Sequence, residues 1–195
     1  MKADIQPLLV QALTKSGSAS SDFDLNKDIV LPEDRVLRPA AVLVAFRADT
    51  GALVLTKRSA KLKHHAGQIA FAGGKQDAGD ATLEATALRE ANEEIGLPAD
   101  QVDVLGRLPS HETVTGFQVT PIVALIRGAF SPIPEAGEVT EVFEVPFAHI
   151  ASPDHFRVVA RRWQGRQRHY YVAPYGPYYI WGATARILRQ LSEQL

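Results

Sequence analysis

The segment from Gly73 to Leu97 constrains this chain more than any other. Gly73-Gly74-Lys75 precedes Arg89-Glu90-Ala91-Asn92-Glu93-Glu94-Ile95-Gly96-Leu97, which reads as a glycine turn ahead of a helix with its carboxylates on one face. Residues three and four apart are neighbours on an α-helix, so Glu90, Glu93 and Glu94 crowd within about 100° of arc. Each like-charge pair destabilises the helix by roughly a few tenths of a kcal/mol. A divalent cation offsets that repulsion, because hard ions such as Mg²⁺ or Mn²⁺ prefer carboxylate, carbonyl and water oxygens. The competing reading is a solvated acidic face in which Arg89 pairs with Glu93 one turn on. The glycines weigh toward a metal, since a backbone without Cβ approaches an ion closely. Asp80 is the expected N-cap, and Ala81, Ala85, Leu88, Asn92 and Ile95 form the expected core-facing stripe. Gly96 is the expected helix stop.

The rest of the chain predicts strands on either side of this helix. Ala40 to Phe46 and Ala52 to Thr56 read as strands joined by a turn at Asp49-Thr50-Gly51. Ile69 to Phe71, Val102 to Leu108, Val119 to Ile126 and Val139 to Val145 add further strands. Arg157 to Trp163 with His169 to Val172 reads as a late hairpin. Ile5 to Thr14 and Ala183 to Glu193 are expected helices, and Ser16 to Ser21 an expected loop. The pattern predicts an α/β fold, a mixed sheet sandwiched between helices. Residues 1–37 form an appended helix and linker, and 38–195 the main domain. The appendage has three open roles: covering the site, forming a homodimer, or packing on the sheet.

Composition removes several classes of function. A net charge of −1 over 195 residues gives no overall attraction to nucleic acid. The absence of cysteine excludes a disulfide framework, a thiolate nucleophile and Cys-ligated zinc. No apolar run approaches the ~20 residues that span a membrane, and no signal-peptide pattern opens the chain, so the expected location is cytoplasmic with no membrane partner. Gly73-Gly74-Lys75 is not a P-loop, because Gln76 follows where Ser or Thr is required and Ile69 stands at the first glycine position. No GxSxG elbow or HExxH helix occurs. His64 and His65 are adjacent and diverge on regular structure, which favours a substrate-loop or surface role over ligation. Arg161, Arg162, Arg166 and Arg168 read as solvent-facing.

The run from Gly74 through Asp80 and Arg89 to Leu97 resembles the signature of the Nudix hydrolases. It departs in having Asp80 for Glu, eight residues between Asp80 and Arg89 rather than seven, and Ala91 in a hydrophobic slot. Upstream, Leu55-Thr56-Lys57-Arg58-Ser59, Lys63, Gly67 and Phe71-Ala72-Gly73-Gly74 are similar to the motif of the coenzyme A pyrophosphatase branch, which also carries the extra residue. Lys63 stands where that motif has Arg and Ala72 where it has Pro, so a cation is kept but the bidentate fork is lost. Val114 to Pro121 and Ile180 to Leu188 look like the same branch.

The resemblance implies an α/β/α sandwich and metal-dependent hydrolysis of a pyrophosphate in a small-molecule substrate, with Mg²⁺ or Mn²⁺ held by Glu90, Glu94, Glu93 and the Gly73 carbonyl. Arg89 would orient Glu93. Glu138 and Glu141 are candidates for a general base, against the alternative of an acidic surface turn. Arg58 and Lys63 are expected to bind anions, and Thr115, Gly116 and Phe117 to line the substrate pocket. The implied substrate is coenzyme A or a derivative. The alternatives are ADP-ribose or another nucleoside diphosphate derivative, and a non-catalytic nucleotide-binding module.

Overall fold

A nearly unbroken apolar run, Ala40-Ala41-Val42-Leu43-Val44-Ala45-Phe46, forms most of the central strand, as a strand covered on both faces requires. The computed structural model describes residues 4–32, 34–163 (Trp163 by its backbone alone) and 165–195. The chain order is α1 (Gln6–Thr14), β1 (Ser20–Ser21), β2 (Arg38–Arg47), β3 (Leu53–Arg58), β4 (Ile69–Ala70), β5 (Ala72–Lys75) and α2 (Leu83–Ile95). Then come β6 (Val102–Arg107), β7 (His111–Glu112), β8 (Phe117–Ile126), β9 (Val139–Val145), α3 (Phe147–Ala151), β10 (Arg157–Trp163), β11 (Arg166–Val172) and α4 (Gly182–Gln194).

The sheet is mixed. β2 runs parallel to β8 from Arg38↔Phe117 to Arg47↔Ile126. On its other side it pairs antiparallel with β5 through Ala40↔Lys75 to Leu43↔Ala72, and meets β3 at Phe46↔Leu53. β3 in turn pairs with β4 and β9. The segment 69–75 therefore crosses from β3 to β2 where the two strands part.

Strand alternation sorts the apolar residues into two layers. One face presents Leu43, Ala45, Ile122 and Ala124 to Ala87, Ala91 and Ile95 of α2. The opposite face presents Val44, Phe46, Val123 and Leu125 to Leu9 and Ala12 of α1 and Leu188 and Leu191 of α4. Helices thus cover both faces. Of the roles open for residues 1–37, α1 takes that of packing into this core.

Four local expectations are corrected. Gly73 and Gly74 lie in β5 and not in a turn. Serine and glycine at Ser16 to Ser21 suggested a loop, yet Ser20–Ser21 pairs with β7, where the Ser20 hydroxyl meets buried His111 Nδ1 at 2.9 Å. The helix is capped by Thr82, whose Oγ1 accepts the Ala85 N–H at 3.1 Å, and not by Asp80. Its core face is Ala87, Ala91 and Ile95, whereas Ala81 and Asn92 are exposed and Ala85 and Leu88 only half-buried. Two alanine-bearing stripes fit the helical period equally, and the need to aim Glu90 and Glu94 at β5 selects between them. Gly96 ends the helix as expected, left-handed at φ 67° with its N–H bonded to the Ala91 and Asn92 carbonyls.

Candidate active site

Where β2 and β3 part, α2 lays Glu90 and Glu94 against β5. A Cβ on Gly74 would lie 2.6 Å from the Glu90 carboxylate, so the glycine is what lets that carboxylate reach the strand. Glu94 is 3% exposed. Its Oε2 accepts the Gly73 N–H at 3.3 Å, and Arg58 Nη1 stands 3.4 Å from Oε1. Burial pushes the Glu94 carboxyl up to about 7, helped by the charges of Glu90 and Glu138 and opposed by Arg58 and the Gly73 N–H. Burial also raises Glu90, with Arg89 opposing and Glu93 and Glu138 contributing.

Arg89 ties the acidic face to the preceding loop. Its Nε and Nη2 form a fork on Asp80 at 3.0 and 2.9 Å, while Nη1 reaches Glu90 at 2.9 Å and Glu93 at 3.0 Å. Asp80 also accepts from the Asp77 N–H and the Thr86 hydroxyl. The Arg89 bonds, foremost, hold its carboxyl far below the usual range. The spaced acid of the sequence motif is thus the partner of Arg89. Glu93 hangs outward, its side chain 58% exposed.

The structure separates the two base candidates. The loop before β9 docks on the end of α2 through Ile133 N–H to Ile95 O and Glu135 N–H to Glu94 O, both 2.9 Å. It brings the Glu138 charge to bear on Glu90 and Glu94. Glu141 shares its strand face with Phe143 and Val145 of the opposite layer, and accepts the Tyr178 hydroxyl at 2.5 Å. Alternation carries it away from α2.

The expected substrate contacts divide as well. Arg58 joins the acidic group, whereas Lys63 lies exposed in the loop before β4. Thr115 and Gly116 form the turn entering β8, and Phe117 lies 4.0 Å beneath the Arg38 guanidinium. Phe117 pairs with Arg38 while Gly73 pairs with Val42, four residues or roughly 13 Å further along β2. The structure does not bring these three residues to the carboxylates. Sequence reading placed Ile180 and Trp181 in the branch resemblance but overlooked the aromatic residues at 175–179 before them. With Lys57, Gly67 and Gln68, the residues Tyr178, Tyr179 and Trp181 line an open cleft of about 390 Å³. The density of Tyr and Trp in this stretch was the signal available.

Among the described residues no three acidic or histidine side chains make a ready-built metal cage. The donor set still fits Mg²⁺ or Mn²⁺. Mg²⁺ keeps several waters and binds through one or two carboxylates plus substrate phosphates. Glu90 and Glu94 stand one turn apart, and burial raises both carboxyls despite the arginine beside each.

A family model, the NUDIX domain, matches residues 36–171. The Uncharacterized Nudix hydrolase NudL of Klebsiella pneumoniae (strain 342) is 40% identical over 187 residues, covering 90% of this chain and 97% of the relative. Its namesake in Cronobacter sakazakii (strain ATCC BAA-894) is 43% identical over 159 residues, covering 81% and 83%. Among solved structures, a Nudix hydrolase from M. Smegmatis, RenU, superposes with a TM-score of 0.47 at 26% identity, covering 60% of this chain and 74% of its own.

Proposed function

The chain belongs to the Nudix hydrolase family, and from that premise we propose that it hydrolyses the pyrophosphate bond of coenzyme A and its derivatives. The products are 3′,5′-ADP and 4′-phosphopantetheine or its acyl form. The observation that carries this reading is the position of Arg58: the segment that resembles the coenzyme A branch folds directly onto Glu94 of the acidic helix.

Nudix hydrolases generally use divalent metal ions. In our reading Glu90 and Glu94 hold Mg²⁺ or Mn²⁺, with Glu93 and the Gly73 carbonyl as further donors. A bound cation supplies charge neutralisation at the phosphoryl oxygens and a lowered pKa for coordinated water. Arg89 keeps Glu90 and Glu93 in place through charge-assisted bonds. Arg58 balances the Glu94 charge and offers donors to a substrate oxygen.

Glu138, rather than Glu141, removes the proton from the attacking water. Glu138→Gln is expected to lower kcat by about 10²-fold or more, the usual range for a lost general base. Glu141→Gln is expected to lower kcat less than about 3-fold, since its strand face turns from α2. Equal losses in the two variants would remove Glu138 from this role.

The test of the reaction is metal-dependent hydrolysis of coenzyme A, with ADP-ribose in parallel and products identified by mass. Release of 3′,5′-ADP only with Mg²⁺ or Mn²⁺ is the expected result. Faster turnover of ADP-ribose would overturn the substrate while keeping the metal helix.

A further inference from the structure

The hairpin of β10 and β11 carries positive charge that the proposed chemistry leaves unused. In its register Arg161 stands directly opposite Arg168, and Val159 opposite Tyr170. Like charges facing each other weaken a strand pair. Among the described residues neither arginine forms an ion pair with a carboxylate. An anion that bridges them would turn that repulsion into binding.

The register also says where such an anion would sit. Tyr170 packs edge-on against Trp181, with ring centroids 5.3 Å apart, and Val172 bridges to Trp181. Alternation puts Arg168 and Arg161 on the same face of the hairpin as Tyr170, one step of about 7 Å further along. Trp181 is a wall of the cleft that also holds Tyr178, Tyr179 and Lys57. Tyr179 is 49% exposed there, and burial with the neighbouring Tyr170 raises its phenol while the Arg161 charge opposes them. The Tyr178 ring is braced by stacking on Phe143 at 3.5 Å, and its hydroxyl holds Glu141, the carboxylate on this side of β9.

The cleft adjoins the acidic site through the end of β3. Arg58 turns to Glu94 and its neighbour Lys57 turns to the cleft. Alternation puts these two side chains on opposite faces of the sheet, so a molecule cleaved beside Glu94 would round the C-terminal end of β3 to reach the cleft. Exposed aromatic faces suit a nucleobase, which stacks on them whatever its edge pattern. The arginine pair lies about 7 Å along the hairpin from Tyr170, the ring that packs on Trp181, a spacing that suits a substituent on the ribose of a base stacked there.

Resting on the substrate reading above, we propose that this cleft holds the adenine of the substrate. Arg161 and Arg168 take the phosphomonoester on its ribose. The hairpin then distinguishes a 3′-phosphorylated ADP moiety from plain ADP.

The test is the double variant Arg161→Ala/Arg168→Ala, assayed on coenzyme A and on dephospho-coenzyme A. Wild type is expected to prefer coenzyme A by ~10-fold or more in kcat/KM, and the variant by less than ~2-fold, because a site built to bond a charged group discriminates by that bond. A general defect lowers both substrates and leaves the ratio unchanged, which would overturn the assignment. Calorimetry with 3′,5′-ADP and 5′-AMP separates this proposal from the reaction. Tighter wild-type binding of 3′,5′-ADP that is lost in the variant supports the subsite even where coenzyme A is not cleaved. Equal binding of the two nucleotides by wild type refutes the subsite even where coenzyme A is cleaved.

Discussion

Glu94→Gln is expected to abolish pyrophosphate hydrolysis, with kcat/KM down about 10³-fold or more, equivalent to ~4 kcal/mol of transition-state stabilisation. The substitution keeps the size of the side chain and one oxygen that can accept the Gly73 N–H. It removes the charge that a divalent ion requires. In the absence of metal the folded chain should not suffer. A carboxylate 3% exposed and pushed up by burial is an expensive group to keep charged, and its balance from Arg58 comes only at 3.4 Å. The metal-free melting temperature of the variant is therefore expected at or near that of wild type. Mg²⁺ or Mn²⁺ is expected to raise the wild-type value, as any ligand of the native state does, and to leave the variant unmoved. Near-wild-type turnover would remove Glu94 from the proposed metal ligands. A large metal-free loss of stability would make it a structural residue instead.

What sequence reading captures here follows the range of the interactions involved. The acidic helix is legible because its determinants lie within three or four residues of one another: Arg89 reaches Glu93 one turn on, and Gly96 stops the helix where no Cβ obstructs a left-handed residue. Its rotation about its own axis is less legible. Both alanine stripes match the period, and the choice depends on Gly73 and Gly74, which approach from a different strand. The glycine pair misleads for the same reason, since its close neighbours are Val42 and Glu90 and nothing local distinguishes a turn from a strand pressed on both sides.

The two base candidates were separable in part. Glu141, Phe143 and Val145 alternate on one strand face, so Glu141 had to accompany Phe143. Which face meets α2 is a property of the whole sheet. The position of Glu138 depends on a loop held by the Ile95 and Glu94 carbonyls, contacts that no spacing announces. The aromatic cleft escaped because its walls come from β3, the loop before β4 and residues 177–181, separated by over a hundred residues of chain.

Gly73→Ala is expected to be the most damaging single methyl in the molecule. The added Cβ would fall 2.4 Å from the Ala41 carbonyl oxygen and 2.6 Å from Val42 Cα, at a φ of 154°. Both neighbours are backbone atoms of β2, which is paired with β8 along ten residues and packed in both layers. No rotamer change relieves the clash, so β5 must lift from β2 and break the ladder from Ala40↔Lys75 to Leu43↔Ala72. A loss of at least ~3 kcal/mol is the scale of such overpacking combined with backbone strain, or roughly a 10 °C fall in melting temperature for a chain of this length. Gly74→Ala is the control that separates strand from site. Its Cβ would meet the Glu90 carboxylate, the far end of a side chain that can swing aside, so the melting temperature should move by only about 3 °C. Displacing Glu90 nonetheless removes a proposed metal ligand, so activity should fall by at least ~10-fold, as when supporting groups of a metal site are disturbed. The pair is read by thermal unfolding and hydrolysis measured on the same samples. A Gly73→Ala protein that melts like wild type would show that β5 does not depend on the missing Cβ, and would return Gly73 to the role of a ligand approach alone.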